Sequence, residues 1–215
     1  MTKSIKYLLA LCLTIVAFPA FAQQQQAKAI LDKTAAQFTK SGGISASFTV
    51  KSMNGRRSAG SVSGNIKLKG QKFILDAAGM TTWFNGRTQW SYSKNNNEVT
   101  VSTPTVSELQ EMNPYTFIYM YKKGFSYRLG SMKTYQGKSV YQVLLTATSG
   151  RSDLASVVLY IARNSYQPLS IQVRKRNGGS STININHYRG GMKFADADFT
   201  FNKSRYSKAE IIDVR

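Results

Sequence analysis

Residues 44–69 read ISASFTVKSMNGRRSAGSVSGNIKLK, and this stretch decides the fold. In both of its halves apolar and polar side chains alternate, which is the period of a β-strand with one buried face and one solvated face. Asn54-Gly55 lies between the halves and is a strong signal for a tight turn. The stretch therefore predicts two long antiparallel strands joined as a hairpin.

Strand patterns of the same kind recur along the rest of the chain, separated by turn residues. They are Lys72–Ala77, Thr81–Asn85, Thr88–Ser93, Glu98–Ser102, Ser126–Leu129, Val140–Thr148, Ser156–Arg163, Leu169–Arg176, Ser181–Tyr188, Phe199–Phe201 and Ala209–Val214. This close spacing predicts one large antiparallel sheet with few helices. A flat sheet of about ten strands would expose a large apolar face, so the sheet has to curl or be covered.

Three helical segments are available to cover the sheet. From about residue 26 to residue 41, apolar side chains recur every three or four positions and form one stripe. Two shorter segments, Thr105–Met112 and Tyr115–Lys122, lie on either side of Asn113-Pro114. The second is apolar nearly all round, which is typical of a helix that is deeply buried or covers space for an apolar ligand. We therefore predict a curled sheet capped by helices, with room for an internal hydrophobic cavity.

The first 22 residues have the pattern of a secretory signal peptide. A basic start is followed by an uncharged apolar run at 7–18 and by the cleavage motif Ala20-Phe21-Ala22. The apolar run is too short for a membrane-spanning helix, which needs about 20 residues. We therefore expect cleavage near Ala22, export across the inner membrane to the periplasm, and a single domain over residues 23–215.

The chain is strongly basic, with 29 Lys and Arg, 10 Asp and Glu, and a formal net charge of +19. Such an excess points to anionic partners such as nucleic acid, a membrane surface or an acidic protein. The basic residues are scattered, and Arg174 and Arg176 alternate with apolar residues, which places them on the outward face of a strand. Because export also separates the chain from nucleic acid, we expect no nucleic-acid partner. An anionic membrane surface or an acidic transfer partner remains as the interpretation of the charge.

The inventory of reactive side chains gives little support for catalysis. His187 is the one histidine, and the one cysteine, Cys12, falls within the predicted signal peptide, so no zinc site of ordinary spacing can form. The acidic pairs Glu108/Glu111 and Asp196/Asp198 fit a solvated helix face and a turn. No nucleophile elbow, phosphate-binding loop or dinucleotide fingerprint occurs. We therefore expect no metal, no cofactor and no enzymatic activity.

Six segments, in order, resemble the LolA family of periplasmic carriers of outer-membrane lipoproteins. No one of them is diagnostic, but their order and spacing hold over essentially the whole mature chain. The segments are AKAILDKTAAQF at 27–38, ISASFTV at 44–50, GNIKLKGQKF at 64–73, NGRTQWSY at 85–92, NPYTFIYMY at 113–121 and DFTFNKSRYSKAEIIDVR at 198–215.

The resemblance implies a mainly β fold, a strongly curved antiparallel half-barrel capped by lid helices around a hydrophobic cavity. The implied function is that of a monomeric carrier, which binds the acyl chains of lipoproteins or related lipids. The implied partners are an inner-membrane lipoprotein-releasing ABC transporter and an outer-membrane acceptor. Alternation of strand residues, together with the aromatic helix, predicts the cavity lining as Phe48, Ile66, Leu68, Phe73, Leu75, Trp83, Trp90, Tyr92, Phe117, Ile118 and Met120.

The chain departs from the family pattern at two places. The family often has an Arg-Pro pair in the turn after the glycine-led strand, with the Arg linked to lid closure, and Gly70-Gln71 stands there in this chain. Asn202 follows the closing Phe-x-Phe where the family usually has Pro. Two alternative functions stay open: a lipid-sensing regulatory domain with the same fold, and an exported enzyme acting on lipid or glycan, with His187 as its candidate polar group.

Overall fold

The computed structural model describes residues 17–105, 108–109, 112–150 and 152–215. These residues form a long helix, α1 (Ala17–Lys40), a 3₁₀ helix at Pro114–Lys122, named the lid helix, and a set of β-strands. The strands are β1 (Gly43–Asn54), β2 (Arg57–Lys69), β3 (Lys72–Ala77), β4 (Met80–Phe84), β5 (Gln89–Ser93), β6 (Glu98–Ser102), β7 (Phe125–Leu129), β8 (Thr134–Tyr135), β9 (Lys138–Ala147), β10 (Leu154–Ala162), β11 (Pro168–Lys175), β12 (Gly179–Met192) and β13 (Glu210–Asp213).

The strands form one open sheet. Their order is β13-β6-β5-β4-β3-β2-β1-β12-β11-β10-β9-β7, and β8 pairs with β9 outside this series. Neighbouring strands are antiparallel, except that β13 runs parallel to β6. β13 and β7 are the two free edges, so the sheet does not close into a barrel. The prediction of a mainly β, antiparallel half-barrel is confirmed.

Helix α1 begins earlier than the sequence pattern predicts. It is already helical at Ala17, whereas the apolar stripe starts at Ala27, because the preceding glutamines carry no apolar side chain that would mark a helix face. The stripe itself is buried as predicted, and Leu31 is fully inaccessible. Gly42, at φ +67°, follows the helix and allows the chain to turn into β1. Most of the predicted signal peptide lies outside the described residues, so its cleavage stays a prediction.

One face of the sheet holds the main hydrophobic core, and we call it the concave face. α1 and the lid helix lie on it, and α1 also packs against β7. Strands β1–β3 in one half of the sheet and β9–β11 in the other contribute every second residue to this core. The cross-strand pairs Ile66↔Leu75 and Leu159↔Ile171 are one example from each half. The opposite, outer face is polar over β1 and β2, where Ser47, Asn65 and Lys67 point away from the core.

The apolar side of the sheet changes face at β4. Phe84 faces the concave side and lies 5.4 Å from Phe73 between ring centroids, whereas its neighbour Trp83 faces outward. The outer side of β4–β6 is covered by the C-terminal segment 194–213, whose Phe201 and Tyr206 rings each lie 5.6 Å from Trp83. This segment makes a second, smaller core that also includes the fully buried Val99.

Two local expectations differ from the structure near the C-terminal segment and at the short helix. Phe199–Phe201 is not a strand; instead Asp196–Phe199 forms a single 3₁₀ turn, in which the Asp198 side chain accepts a hydrogen bond from the Ala195 N–H at 2.9 Å. Of the predicted helix Thr105–Met112, residues 108, 109 and 112 are helical, and the remaining interior positions lie outside the described residues.

Candidate functional site

The concave face is a continuous apolar surface that spans both halves of the sheet. Its most deeply buried strand residues are each at most 1% exposed: Ile44, Ile66, Leu68, Phe73, Val143, Leu145, Val157, Leu159, Ile161 and Ile171. Sequence reasoning selected residues from the first half only. Val143–Leu145 of β9 and Val157–Ile161 of β10 are apolar at consecutive positions, which indicates strands covered on both faces, so alternation alone does not assign their inward residues.

Eight of the eleven predicted lining residues belong to this concave core. Six of them are buried in it, and the remaining two, Leu75 and Met120, are half-buried and pack against it. The six are Phe48, Ile66, Leu68, Phe73, Phe117 and Ile118. The structure therefore brings together the strand residues of β1–β3 and the apolar residues of the lid helix.

The other three residues, Trp83, Trp90 and Tyr92, lie on the outer face. Trp83 pairs with Trp90 across β4 and β5, and Tyr92 lies 4.7 Å from Tyr206 between ring centroids. They share a face with each other, as alternation predicts, but that face is covered by the C-terminal segment rather than by the lid. The expectation that they line one surface with Phe48 is corrected, because the apolar side of the sheet reverses at β4.

The lid helix begins at a capped position and turns its rings into the core. Asn113 Oδ1 accepts a hydrogen bond from the Tyr115 N–H at 3.0 Å, and Pro114 occupies the first turn, where its missing N–H is harmless. The Tyr115 ring packs on Phe38 of α1 at 4.9 Å between centroids. Tyr119 meets the same Phe38 edge-on at 6.1 Å. Aromatic contacts thus join the lid helix to α1.

One short polar bond also joins the two covering elements. The Tyr121 hydroxyl donates to Asp32 Oδ1 of α1 at 2.6 Å, and Lys28 binds the other oxygen of the same carboxylate at 2.7 Å. These hydrogen bonds, that from Lys28 foremost, hold the pKa of Asp32 below its usual value. Burial and the bond to Asp32 raise the pKa of Tyr121, so its hydroxyl stays a donor.

A second tyrosine of the lid helix has a polar atom without a partner. Tyr115 is 1% exposed, and its hydroxyl makes no hydrogen bond to the described residues. Burial raises its pKa, so the group is a neutral hydroxyl inside an apolar core. Sequence reasoning did not select Tyr115, although the aromatic segment in which it lies supplied three of the predicted lining residues.

The turn where the family pattern has Arg-Pro is tied to a different part of the molecule. Gly70, at φ +60°, makes the tight turn from β2 to β3. The flanking Lys69 and Lys72 bind Asp196 of the C-terminal segment at 2.9 and 2.8 Å. The bonds from Lys72 and Lys69 lower the pKa of Asp196 to about 2. These two lysines therefore anchor the C-terminal segment to the β2–β3 turn.

His187 does not face the concave core. Ser47 pairs with His187 and the next residue of β1, Phe48, pairs with Ile185, so β12 bulges at Asn186 and its alternation slips by one residue. His187 is therefore exposed on the outer face, and Tyr188 takes the inward position. Among the described residues, no group of three or more His, Cys, Asp and Glu is placed to hold a metal ion.

A separate cleft of about 560 Å³ lies at the β5–β6 end of the sheet, between Gln89, Ser102, the segment after β6, and Val214-Arg215. Most of its lining residues are polar, unlike those of the concave core. Gln89 Oε1 is buried without a hydrogen-bond partner among the described residues.

In the part of the chain that the structure describes, no helix is both long and apolar enough to span a membrane.

An open antiparallel sheet whose apolar concave face is covered by α1 and a short lid helix defines a helix-covered half-barrel protein. The family model described as "Outer membrane lipoprotein carrier protein LolA" matches residues 18–179, and the chain belongs to this family. No curated protein matches the chain.

The solved structures to which the chain is similar are distant in sequence. An uncharacterized conserved protein of Thermus thermophilus is 14% identical, with a TM-score of 0.58, over 87% of this chain and 99% of that one. A LolA superfamily protein of Nitrosomonas europaea is 12% identical, with a TM-score of 0.46, over 81% and 97%. The structure of the Pseudomonas aeruginosa MucA/MucB complex is 11% identical, with a TM-score of 0.41, over 82% of this chain and 61% of that one. The first likeness supports the fold alone.

Proposed function

We propose that this protein is a carrier that binds the acyl chains of a lipoprotein, or of a related lipid, between the concave face and the two covering elements α1 and the lid helix. The observation that carries the proposal is the composition of the cover. The buried concave residues are closed off by a helix and a 3₁₀ segment, not by further strands. A cover of this kind can move without breaking the hydrogen bonds of the sheet.

The affinity of such a carrier for an acyl chain depends on the lid residues that already occupy the concave face. Each methylene of an acyl chain gains about 0.8 kcal/mol when it leaves water, so a lipid needs a covered apolar site to cross an aqueous compartment. Phe117 and Ile118 of the lid helix are at most 8% exposed and fill the concave face in the closed arrangement. An entering chain displaces them, and re-exposing these rings and methyls offsets part of its binding energy. The net affinity is then moderate, which allows release.

The partners and location follow from family membership and the sequence. Export through the predicted signal peptide would place the carrier in the periplasm. There it would take acylated cargo from an inner-membrane lipoprotein-releasing ABC transporter and pass it to an outer-membrane acceptor. The carrier would work as a monomer, without a cofactor and without enzymatic activity.

The proposal is tested by extracting bound lipid from protein purified from its host, and by titrating a fluorescent acyl probe. Ile118→Glu places a charge on the lid within the concave core and should weaken probe binding at least ten-fold. Ile211→Glu is the matched control, because Ile211 is 40% exposed on β13, outside that core. Equal binding by the two variants, together with no acylated molecule in the extract, would refute the carrier proposal. A stable protein partner captured by crosslinking, with no lipid, would favour a regulatory domain instead.

A further inference from the structure

Two turns lie side by side at one end of the sheet, and we call them the twin-turn tip, defined as residues 51–58 and 174–180. The β1–β2 turn and the β11–β12 turn are adjacent because β1 pairs with β12 as far as Asn54↔Gly179. A backbone hydrogen bond from the Gly55 N–H to the Gly178 carbonyl, at 3.3 Å, joins the turns themselves. The tip is thus a single rigid extension of the sheet.

The tip projects beyond the hydrophobic core. Inward positions of β1 are buried up to Phe48, and those of β2 only as far as Gly64, whereas Arg57 to Ser63 are all exposed. At about 3.3 Å per residue, Asn54 lies roughly 20 Å along the strand from Phe48. The hairpin is far longer than the core requires, so its outer part is available for contact with a partner.

The tip is cationic and contains no acidic residue. It holds six basic residues: Lys51, Arg56, Arg57, Arg174, Lys175 and Arg176. Among the described residues, Lys51, Arg56, Arg57 and Arg174 take part in no ion pair. Arg176 is fixed in place by bonds of 2.9 Å to the carbonyls of Ser149 and Ser152 in the next turn. One positive charge of the tip is therefore fixed in place, and four more are carried by exposed side chains on the same backbone extension.

The charge of the tip comes from two long stretches of sequence without acids. No Asp or Glu occurs between Asp32 and Asp76, or between Asp153 and Asp196. These stretches form β1, β2, most of β3, and β10–β12, which are neighbours in the sheet. Some lysines outside the tip do have acidic partners, such as Lys94 with Asp76 at 3.0 Å and Lys69 with Asp196 at 2.9 Å. Sheet pairing thus makes two of the chain's three longest acid-free stretches neighbours at the tip, and the third, residues 112–152, lies elsewhere in the sheet.

Apolar side chains accompany these charges. Met53, within the tip, is 36% exposed, and Val62 and Met80, at the same end of the concave face, are 41% and 43% exposed. A flexible apolar side chain beside arginines suits the boundary between lipid headgroups and acyl chains. The tip has no aromatic residue on which unpaired bases could stack, which disfavours single-stranded nucleic acid.

We propose that the twin-turn tip is a docking surface for an anionic phospholipid bilayer, with Arg56 and Arg57 contacting headgroup phosphates and Met53 entering the boundary of the acyl region. Each basic residue close to an anionic membrane strengthens binding about five-fold. The attraction is screened by salt over a Debye length of about 8 Å at physiological ionic strength. Docking does not require a bound acyl chain, so it is independent of the carrier proposal.

The test is co-sedimentation of the exported protein, from which the predicted signal peptide has been removed, with vesicles of phosphatidylcholine alone and of phosphatidylcholine mixed with phosphatidylglycerol. We expect binding to the mixed vesicles only, weakened by added salt. The Arg56→Ser/Arg57→Ser variant should bind roughly 30-fold more weakly. Lys133→Ser/Lys138→Ser is the matched control, since it removes the same charge from exposed positions at the opposite end of the sheet and should bind like the unaltered protein.

A second measurement locates the contact. Residues 23–215 contain no cysteine, so Met53→Cys in the exported protein can be labelled there with a polarity-sensitive dye. The dye should show a blue shift with mixed vesicles, whereas the same dye on Lys138→Cys should not. Equal losses in both double-serine variants, or no shift at position 53, would overturn the proposal. Tighter binding to a DNA duplex than to the mixed vesicles would also overturn it. The Arg56→Ser/Arg57→Ser variant should still bind the acyl probe like the unaltered protein. A docking proposal that proves wrong would therefore leave the carrier proposal untouched.

Discussion

The hydrogen bond between Tyr121 and Asp32 is the contact most open to testing in the closed lid. Tyr121→Phe removes this bond with little change in the shape of the side chain. The bond is 2.6 Å long and its acceptor is a carboxylate, so in a buried setting it would be worth about 1.5–3 kcal/mol. Asp32 is 45% exposed and keeps its contact with Lys28, so we expect the lower part of that range or less, about 1 kcal/mol. The lid of the variant should open about five-fold more often.

Hydrogen exchange measures this opening directly. Backbone amides of the lid helix should exchange about five-fold faster in Tyr121→Phe, and those of β10 should be unchanged. The acyl probe should associate faster with the variant by a similar factor, because lid opening precedes entry. Tyr206→Phe is the control, since Tyr206 packs on Trp83 at the outer face and not on the lid. Unaltered exchange in Tyr121→Phe would refute the conclusion that this bond holds the lid.

Acid should loosen the same contact, and two core substitutions test the packing beneath it. The pKa of Asp32 is lowered in the folded protein, so the carboxylate stabilises the closed lid fully above its unfolded value of about 3.9 and progressively less as the pH falls through its folded value. Lid exchange in the unaltered protein should therefore accelerate, relative to that of β10, only below about pH 4. Tyr115→Phe removes a buried hydroxyl that has no partner among the described residues, so urea unfolding should show a free energy that is unchanged or higher by up to about 1 kcal/mol; a clear loss would mean that the hydroxyl is bonded. Gly64→Ala would place a Cβ 2.7 Å from both the Asp76 carbonyl oxygen and the Phe48 ring, and should cost about 1–3 kcal/mol in the same assay, whereas Gly150→Ala, with open space around it, should cost much less.

The strands could be predicted from sequence because their alternation is local. Residues 44–50 and 62–68 lie in the predicted strands, with the predicted side inward, since one face of each strand is buried and the other is solvated. Prediction by face failed at β4, where Thr81 to Phe84 are all buried and alternation cannot choose a side. It failed at β5 because Trp90 and Tyr92 face a cover made by residues more than a hundred positions later in the chain.

His187 shows a different limit of local patterns. Counting by twos from Ile183 and Ile185 places it inward, and one inserted residue at the bulge reverses that result. Neither the bulge nor the folding-back of the C-terminal segment leaves a local pattern in the sequence. Both depend on contacts between distant segments. The strands of the sheet were therefore easier to predict than the set of residues that face the concave core.

The geometry of β1 connects lipid binding with membrane docking. Phe48 lies in the concave core and Lys51, three residues further along the same strand, belongs to the twin-turn tip. Docking through the tip would therefore bring the exposed Val62 and Met80, at that end of the concave face, toward the bilayer. A lipid leaving the membrane would meet these side chains before it reached Phe48. Val62→Asp should then slow acyl transfer from vesicles while leaving the binding of a soluble acyl probe unchanged. If the substitution changed both measurements equally, Val62 would not lie on the path by which lipid passes from the membrane to the concave core.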